Sequence, residues 1–286
     1  MMPTQDRTLS IAGVQVPRFL YGTAWKEDAT QGLTELAIQQ GFRGIDTANQ
    51  RRHYHEAAVG QGIAAAIASG RVTRDELFLQ TKFTFQPGQD HRLPYDPAAP
   101  IEIQVQQSFA SSLTHLGVET IDSYVLHGPS LRNGLAPADW AAWRAMEAIQ
   151  ASGRARLLGV SNVTLNQLHH LCLDARVRPS FVQNRCFAVL GWDRQIRKYC
   201  AEQGLIYQGF SLLTANPEAL AHPELIRIAQ RHGHTPSQIV FRFALDAGMI
   251  PLTGTTDPDH MQADLDIFDF QLEPAEVDRV EELVAG

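Results

Sequence analysis

Short apolar, β-branched runs alternate with longer stretches in which apolar residues recur at spacings of three and four, almost from one end of the chain to the other. The first pattern suits strands buried on both faces, and the second suits helices that lay one stripe on a core. Strands are predicted near Phe19 to Thr23, Gly44 to Thr47, Leu77 to Lys82, Asp122 to Leu126, Leu157 to Val160, Phe181 to Cys186, Ile206 to Phe210 and Ile250 to Thr253. Helices are predicted over Ala57 to Ser69, Ile101 to Leu116, Trp140 to Ser152 and Asp193 to Gln203. Gly41, Gly117 and Gly204 fall just past helical stretches, where a left-handed cap favours glycine. Repeated strand–helix units of this kind build a parallel sheet, and eight of them in one chain predict a single (β/α)8 TIM barrel spanning residues 1–286.

Such barrels take about 250 residues, so a little chain is left over. Residues Thr8 to Val16 alternate around Gly13 like a small hairpin, Ser237 to Leu245 gives an extra helix before the last strand, and Pro274 to Val284 gives a final one. The longest irregular stretch, Phe85 to Pro100, follows the third strand and is expected to lie over the mouth of the barrel.

Composition narrows the function classes. The chain has 24 Lys plus Arg against 31 Asp plus Glu, a net charge of −7, which leaves no basic excess for a nucleic-acid backbone. The first twenty residues carry Asp6 and Arg7 and lack a continuous apolar core, so they do not read as a signal peptide. No run approaches the roughly 20 apolar residues of a membrane span, and a cytoplasmic protein without membrane or nucleic-acid partners is expected. Cys172, Cys186 and Cys200 lie in core-like segments and read as buried thiols.

Candidate chemistry gathers at the strand ends. Asp46 closes GFRGID, Lys82 closes LFLQTK, His127 follows DSYVL, and Tyr54 comes shortly after the second strand. In a barrel these meet at the C-terminal rim. A charge at the end of an apolar strand is costly unless paired, and Asp46 and Lys82 sit on adjacent strands. An ammonium beside a phenol is expected to lower its pKa from about 10, making Tyr54 a proton donor, while neutral His127 orients a substrate oxygen. Lys82 also admits a second reading, as the carbonyl nucleophile of a Schiff-base aldolase.

Two motifs point elsewhere and are set aside. Gly60, Gly62 and Ala65 spell a dinucleotide fingerprint, but they follow a helix start and not a strand. The pairs His53 with His55 and His232 with His234 lack a third ligand at zinc spacing, so no metal is expected.

The segment DTANQRRHYHEAAVG, followed in order by LQTKF, YVLHGP, LLGVSN, FVQN, GFSLL and IPLTGTT, resembles the aldo-keto reductase family from about Leu20 onward. The resemblance implies a catalytic tetrad of Asp46, Tyr54, Lys82 and His127, a nicotinamide cofactor and a small carbonyl substrate, in a monomer or weak homo-oligomer. It places Ser161, Asn162 and Gln183 on the carboxamide, Phe210 against the nicotinamide ring, Ser211 and Leu212 along the pyrophosphate, Thr23 near the cofactor and Trp25 near the substrate. It also implies that Thr253, Thr255 and His260 face the cofactor, alongside Thr256.

Two departures stand out. The family's tyrosine usually follows the aspartate by five residues, where this chain has Arg51, so either Tyr54 swings in on a longer loop or His53 takes its place. Leu252 and His260 replace the basic pair that grips the 2′-phosphate in similar proteins, so NADP(H) is favoured and NAD(H) kept open. A non-catalytic nucleotide sensor is a third reading. After the last helix the chain stops at Gly286 without a covering tail, which implies an open, accommodating site.

Overall fold

The computed structural model describes residues 7–284. The chain ends used above, Met1 to Asp6 and Gly286, lie outside the described residues. Among the described residues, ten strands form two sheets: β1 Thr8–Ile11, β2 Val14–Pro17, β3 Leu20–Gly22, β4 Gly44–Asp46, β5 Phe78–Phe83, β6 Ile121–Leu126, β7 Ala155–Ser161, β8 Phe181–Arg185, β9 Ile206–Phe210 and β10 Met249–Thr253. Strands β3 to β10 close into a parallel barrel in sequence order, β10 pairing back with β3. Every strand expected from the pattern is present, and the fold is a (β/α)8 barrel.

The hairpin is β1 with β2, paired antiparallel from Thr8↔Pro17 to Ile11↔Val14. Its two-residue turn needs positive φ twice, and Ala12 (φ 47) and Gly13 (φ 80) supply it. Val14 and Val16 pack with Leu20, Phe78, Leu157, Phe181 and Ile250, so the hairpin closes the N-terminal end of the barrel.

The predicted helices appear at Glu56–Ala68, Ile101–Leu116, Pro137–Ala151 and Arg194–Gln203, and the extra ones at Pro236–Asp246 and Pro274–Glu282. Gly60 and Gly62 serve helix packing. A Cβ on Gly60 would lie 1.9 Å from the His115 carbonyl oxygen, and one on Gly62 would lie 2.6 Å from that of Gln31. Among the described residues, no helix is long and apolar enough to cross a membrane. All three cysteines are buried and free.

Candidate active site

Strands β4, β5 and β6 are consecutive in the barrel, so Asp46 at the end of β4, Lys82 near the end of β5 and His127 just past β6 converge on one sector of the C-terminal rim. Lys82 is fully buried and donates to Asp46 Oδ1 at 2.8 Å, to Asp46 Oδ2 at 2.7 Å and to the Thr47 carbonyl at 2.8 Å. Burial pushes its pKa down from the usual lysine range, and the Asp46 charge works against that. Asp46 Oδ1 also accepts from Gln80 at 2.7 Å and Gln183 at 3.0 Å. Gln208 ties these two amides together inside the barrel, accepting from both at 2.8 and 3.0 Å. A buried ion pair with this many added hydrogen bonds meets the condition under which such pairs persist.

The loop carrying Tyr54 is pinned at several points. Tyr54 N donates to the Gln50 carbonyl at 3.0 Å, Trp25 N to that of His53 at 2.8 Å, and Gln50 Nε2 to that of Gly88 at 2.7 Å. Tyr54 thereby reaches the pair despite the longer spacing. Its ring centroid lies 5.2 Å from Lys82 Nζ and 5.9 Å from the His127 ring, and its hydroxyl has no hydrogen-bond partner among the described residues. His53 instead packs on the Trp25 ring, centroid to centroid at 4.0 Å.

The expected lowering of the Tyr54 pKa is corrected by the structure. Burial, with the Asp46 carboxylate adding to it, holds the phenol well above its ordinary value. The Lys82 ammonium does not reverse this, because Asp46 already neutralises it. His127 moves the other way: burial, then the charges of Lys82 and His53, bring it down to about 3. Its Nδ1 is 2.7 Å from Thr84 Oγ1.

A cavity of about 1220 Å³ opens at this rim and runs past β8, β9 and β10. Asp46, Tyr54, His127, Trp25, Ser161, Asn162, Gln183, Phe210, Ser211, Leu212, Thr253, Thr255 and His260 all line it. Thr23 does not: it is fully buried, and its hydroxyl donates to the Asp46 carbonyl at 3.0 Å. The strand alternation aims it into the wall between β3 and β4. Ser161 donates its hydroxyl to the Gln183 carbonyl at 2.6 Å, and Asn162 donates its amide to the His127 carbonyl at 2.7 Å. Their remaining capacity toward a ligand is as acceptors. The segment after β5 lines the mouth through Phe85 to Gly88 and Pro97, as its position predicted.

Sequence reasoning missed three cavity residues. Lys26 is 7% exposed and its Nζ donates to the Gly254 carbonyl at 2.7 Å, with no carboxylate in an ion pair. Burial brings its pKa down to about 8. Arg185 has no ion-pair partner among the described residues, and its guanidinium lies 5.7 Å from the Phe210 ring centroid. Asp264 lines the cavity with one oxygen unpartnered. The chain has three lysines, Lys26, Lys82 and Lys198, and that rarity is a signal that could have picked out Lys26.

Fold and site together define a parallel barrel with a carboxylate, an ammonium, a phenol and an imidazole gathered at the rim and a long cavity beside them. The aldo/keto reductase family model matches residues 20–285, and the chain belongs to that family. It is 31% identical to the Bombyx mori aldo-keto reductase AKR2E4 over 272 residues, covering 90% of this chain and 83% of that one. It is 27% identical to the Bacillus subtilis glyoxal reductase, covering 99% and 95%. The crystal structure of the Bombyx mori enzyme in complex with NADP superposes with a TM-score of 0.82 at 27% identity, covering 96% of this chain and 92% of that one.

Proposed function

We propose that the protein reduces an aldehyde or ketone with hydride from a nicotinamide dinucleotide, Tyr54 giving the proton. The observation that carries this reading is the Tyr54 phenol, its hydroxyl without a hydrogen-bond partner among the described residues, lining a large cavity between the Asp46–Lys82 pair and a neutral imidazole. The cavity accommodates such a nucleotide. Its volume exceeds the range of roughly 300–1,000 Å³ usual for small-molecule sites, and two cations without counter-ions, Lys26 and Arg185, line it on a chain of net charge −7. The Bombyx mori relative binds NADP, and glyoxal reductase in name acts on a small dicarbonyl.

The residues divide the work as follows. Phe210 offers a ring face to the nicotinamide. Gln183 Oε1 and Asn162 Oδ1 accept from its carboxamide, and Lys26 meets the pyrophosphate. When bound, the nucleotide supplies a hydride and nothing else. With Thr84 donating to His127 Nδ1, the His127 Nε2–H is left to donate to the substrate oxygen and fix its place. Hydride delivered to the carbonyl carbon would be matched by the Tyr54 proton passing to the oxygen, giving an alcohol, and the phenolate left behind, disfavoured by burial and the Asp46 charge, would retake a proton from water. A phenol held neutral by burial carries its proton when substrate arrives, which is the form that carbonyl reduction needs.

The aldolase reading is disfavoured by the same geometry. Lys82 is fully buried and donates to both Asp46 oxygens and the Thr47 carbonyl, which leaves no lone pair and no approach for a substrate carbon. Consumption of the reduced nucleotide against a panel of small and bulky carbonyls tests the proposal. Tyr54→Phe is expected to cut turnover by about 10²–10⁴-fold while leaving nucleotide affinity within about twofold. Tight nucleotide binding with no turnover on any carbonyl would turn the reading toward a sensor.

A further inference from the structure

Strands β8 and β9 end on Arg185 and Phe210, and these two residues are paired across the sheet. Side chains alternate along a strand, so each points the same way as the residue two places before it. Those residues are Gln183 and Gln208, whose amides meet inside the barrel at 3.0 Å. Arg185 and Phe210 therefore form the next layer of the interior toward the rim, and both line the cavity.

Arg185 is exposed, and its guanidinium carbon lies 5.7 Å from the centroid of the Phe210 ring. Among the described residues its guanidinium has neither a hydrogen bond nor an ion pair. Arg74, Arg156, Arg194 and Arg227, by contrast, each hold a carboxylate. Of the carboxylates lining the cavity, Asp46 is paired with Lys82, and Asp264 sits on the helix that follows β10. A permanent cation is thus left beside Phe210 without an ion-pair partner.

The proposed function lays the nicotinamide on the Phe210 ring, and this inference rests on that reading. The nicotinamide changes charge in the reaction. The dihydronicotinamide that brings hydride is neutral, and the nicotinamide left once hydride has gone is a cation. Stacked aromatic rings have centroids from about 4.5 Å apart, so a ring on either face of Phe210 comes within roughly 10 Å of the guanidinium. At that range Arg185 meets the oxidised ring as a like charge and the reduced ring as a neutral one. Lys26 at the pyrophosphate meets the same phosphate charge in both forms.

We infer that Arg185 discriminates between the two redox forms of the cofactor, weakening the oxidised nucleotide relative to the reduced one. The functional consequence is weaker product inhibition by the oxidised nucleotide during carbonyl reduction.

Isothermal titration calorimetry of the intact protein, with NADPH against NADP+ and with NADH against NAD+, tests this in wild type, Arg185→Gln and Arg185→Lys. Arg185→Gln should lower the preference for the reduced form by about three- to tenfold, mainly through tighter binding of the oxidised form. Inhibition of carbonyl reduction by the oxidised form should strengthen to match. Arg185→Lys keeps the charge and should keep most of the preference, while Lys26→Met should weaken both forms alike and leave their ratio unchanged. A wild-type ratio in Arg185→Gln overturns the inference, as does an equal loss of affinity for both forms, which would mark Arg185 as a phosphate contact. A preference lost as fully in Arg185→Lys as in Arg185→Gln overturns it too, since charge would then not be the cause. Each of these results leaves the carbonyl-reductase reading standing. Failure of all four nucleotides to bind wild type removes that reading and this inference together.

Discussion

At the Tyr54 end of the cavity the charged groups are matched to one another, whereas along the far wall they are not. Asp46 takes hydrogen bonds from Lys82, Gln80 and Gln183, and Lys82 has three acceptors. Among the described residues, Lys26 has the Gly254 carbonyl and the Tyr21 ring but no carboxylate, and Asp264 has an oxygen without a hydrogen-bond partner. The matched end is preorganised, so under the proposed reaction it would act without waiting for a ligand to order it. The unmatched end leaves groups whose partners a ligand could supply, which is the arrangement expected of a binding surface and not of a catalytic one. A fold keeps such unsatisfied groups where they bind or switch.

The contrast breaks most severely at Lys82. Lys82→Met leaves Asp46 buried and unpaired, a loss of about 3–5 kcal/mol in denaturant unfolding, together with turnover reduced to background. A Lys82→Met protein of unaltered stability and activity would show that the matched end is not held by its charges. Smaller, and confined to the unmatched end, is Lys26→Met. Nucleotide affinity should drop about tenfold with the loss of one charged hydrogen bond, and unfolding should barely change. The wild-type ammonium is present below about pH 8 and lost above it, so wild-type affinity should weaken as pH rises through that value and the variant's should not. Parallel pH dependence in the two proteins would remove Lys26 from the pyrophosphate.

A further test, read through pH alone, is at His127. Its folded pKa of about 3 lies below the roughly 6.5 of an unfolded imidazole. The unfolded chain takes up that proton first, so the stability contributed is complete above about pH 6.5 and declines as pH falls toward 3. Imidazole NMR should find the ring neutral at pH 5, and a charged ring there would contradict the burial that makes it an orienting group.

The barrel itself was legible because strands buried on both faces write themselves as continuous apolar runs, and Lys82 stood out against LFLQT for the same reason. Tyr54 was legible as a residue type but not in its titration, since the sign depends on Asp46 having already neutralised Lys82. Gln80 and Gln208 look like ordinary polar residues in strands, and only closure of the barrel brings β5 and β9 amides to within 2.8 Å of one another. Lys26 and Asp264 come from opposite ends of the chain and acquire meaning only when β10 pairs with β3. Thr23 sits between two cavity-lining residues, Gly22 and Ala24, with its hydroxyl turned to the Asp46 carbonyl, a direction that the motif does not specify.

With β1 and β2 packed across its floor, the barrel offers ligands the rim and not the base.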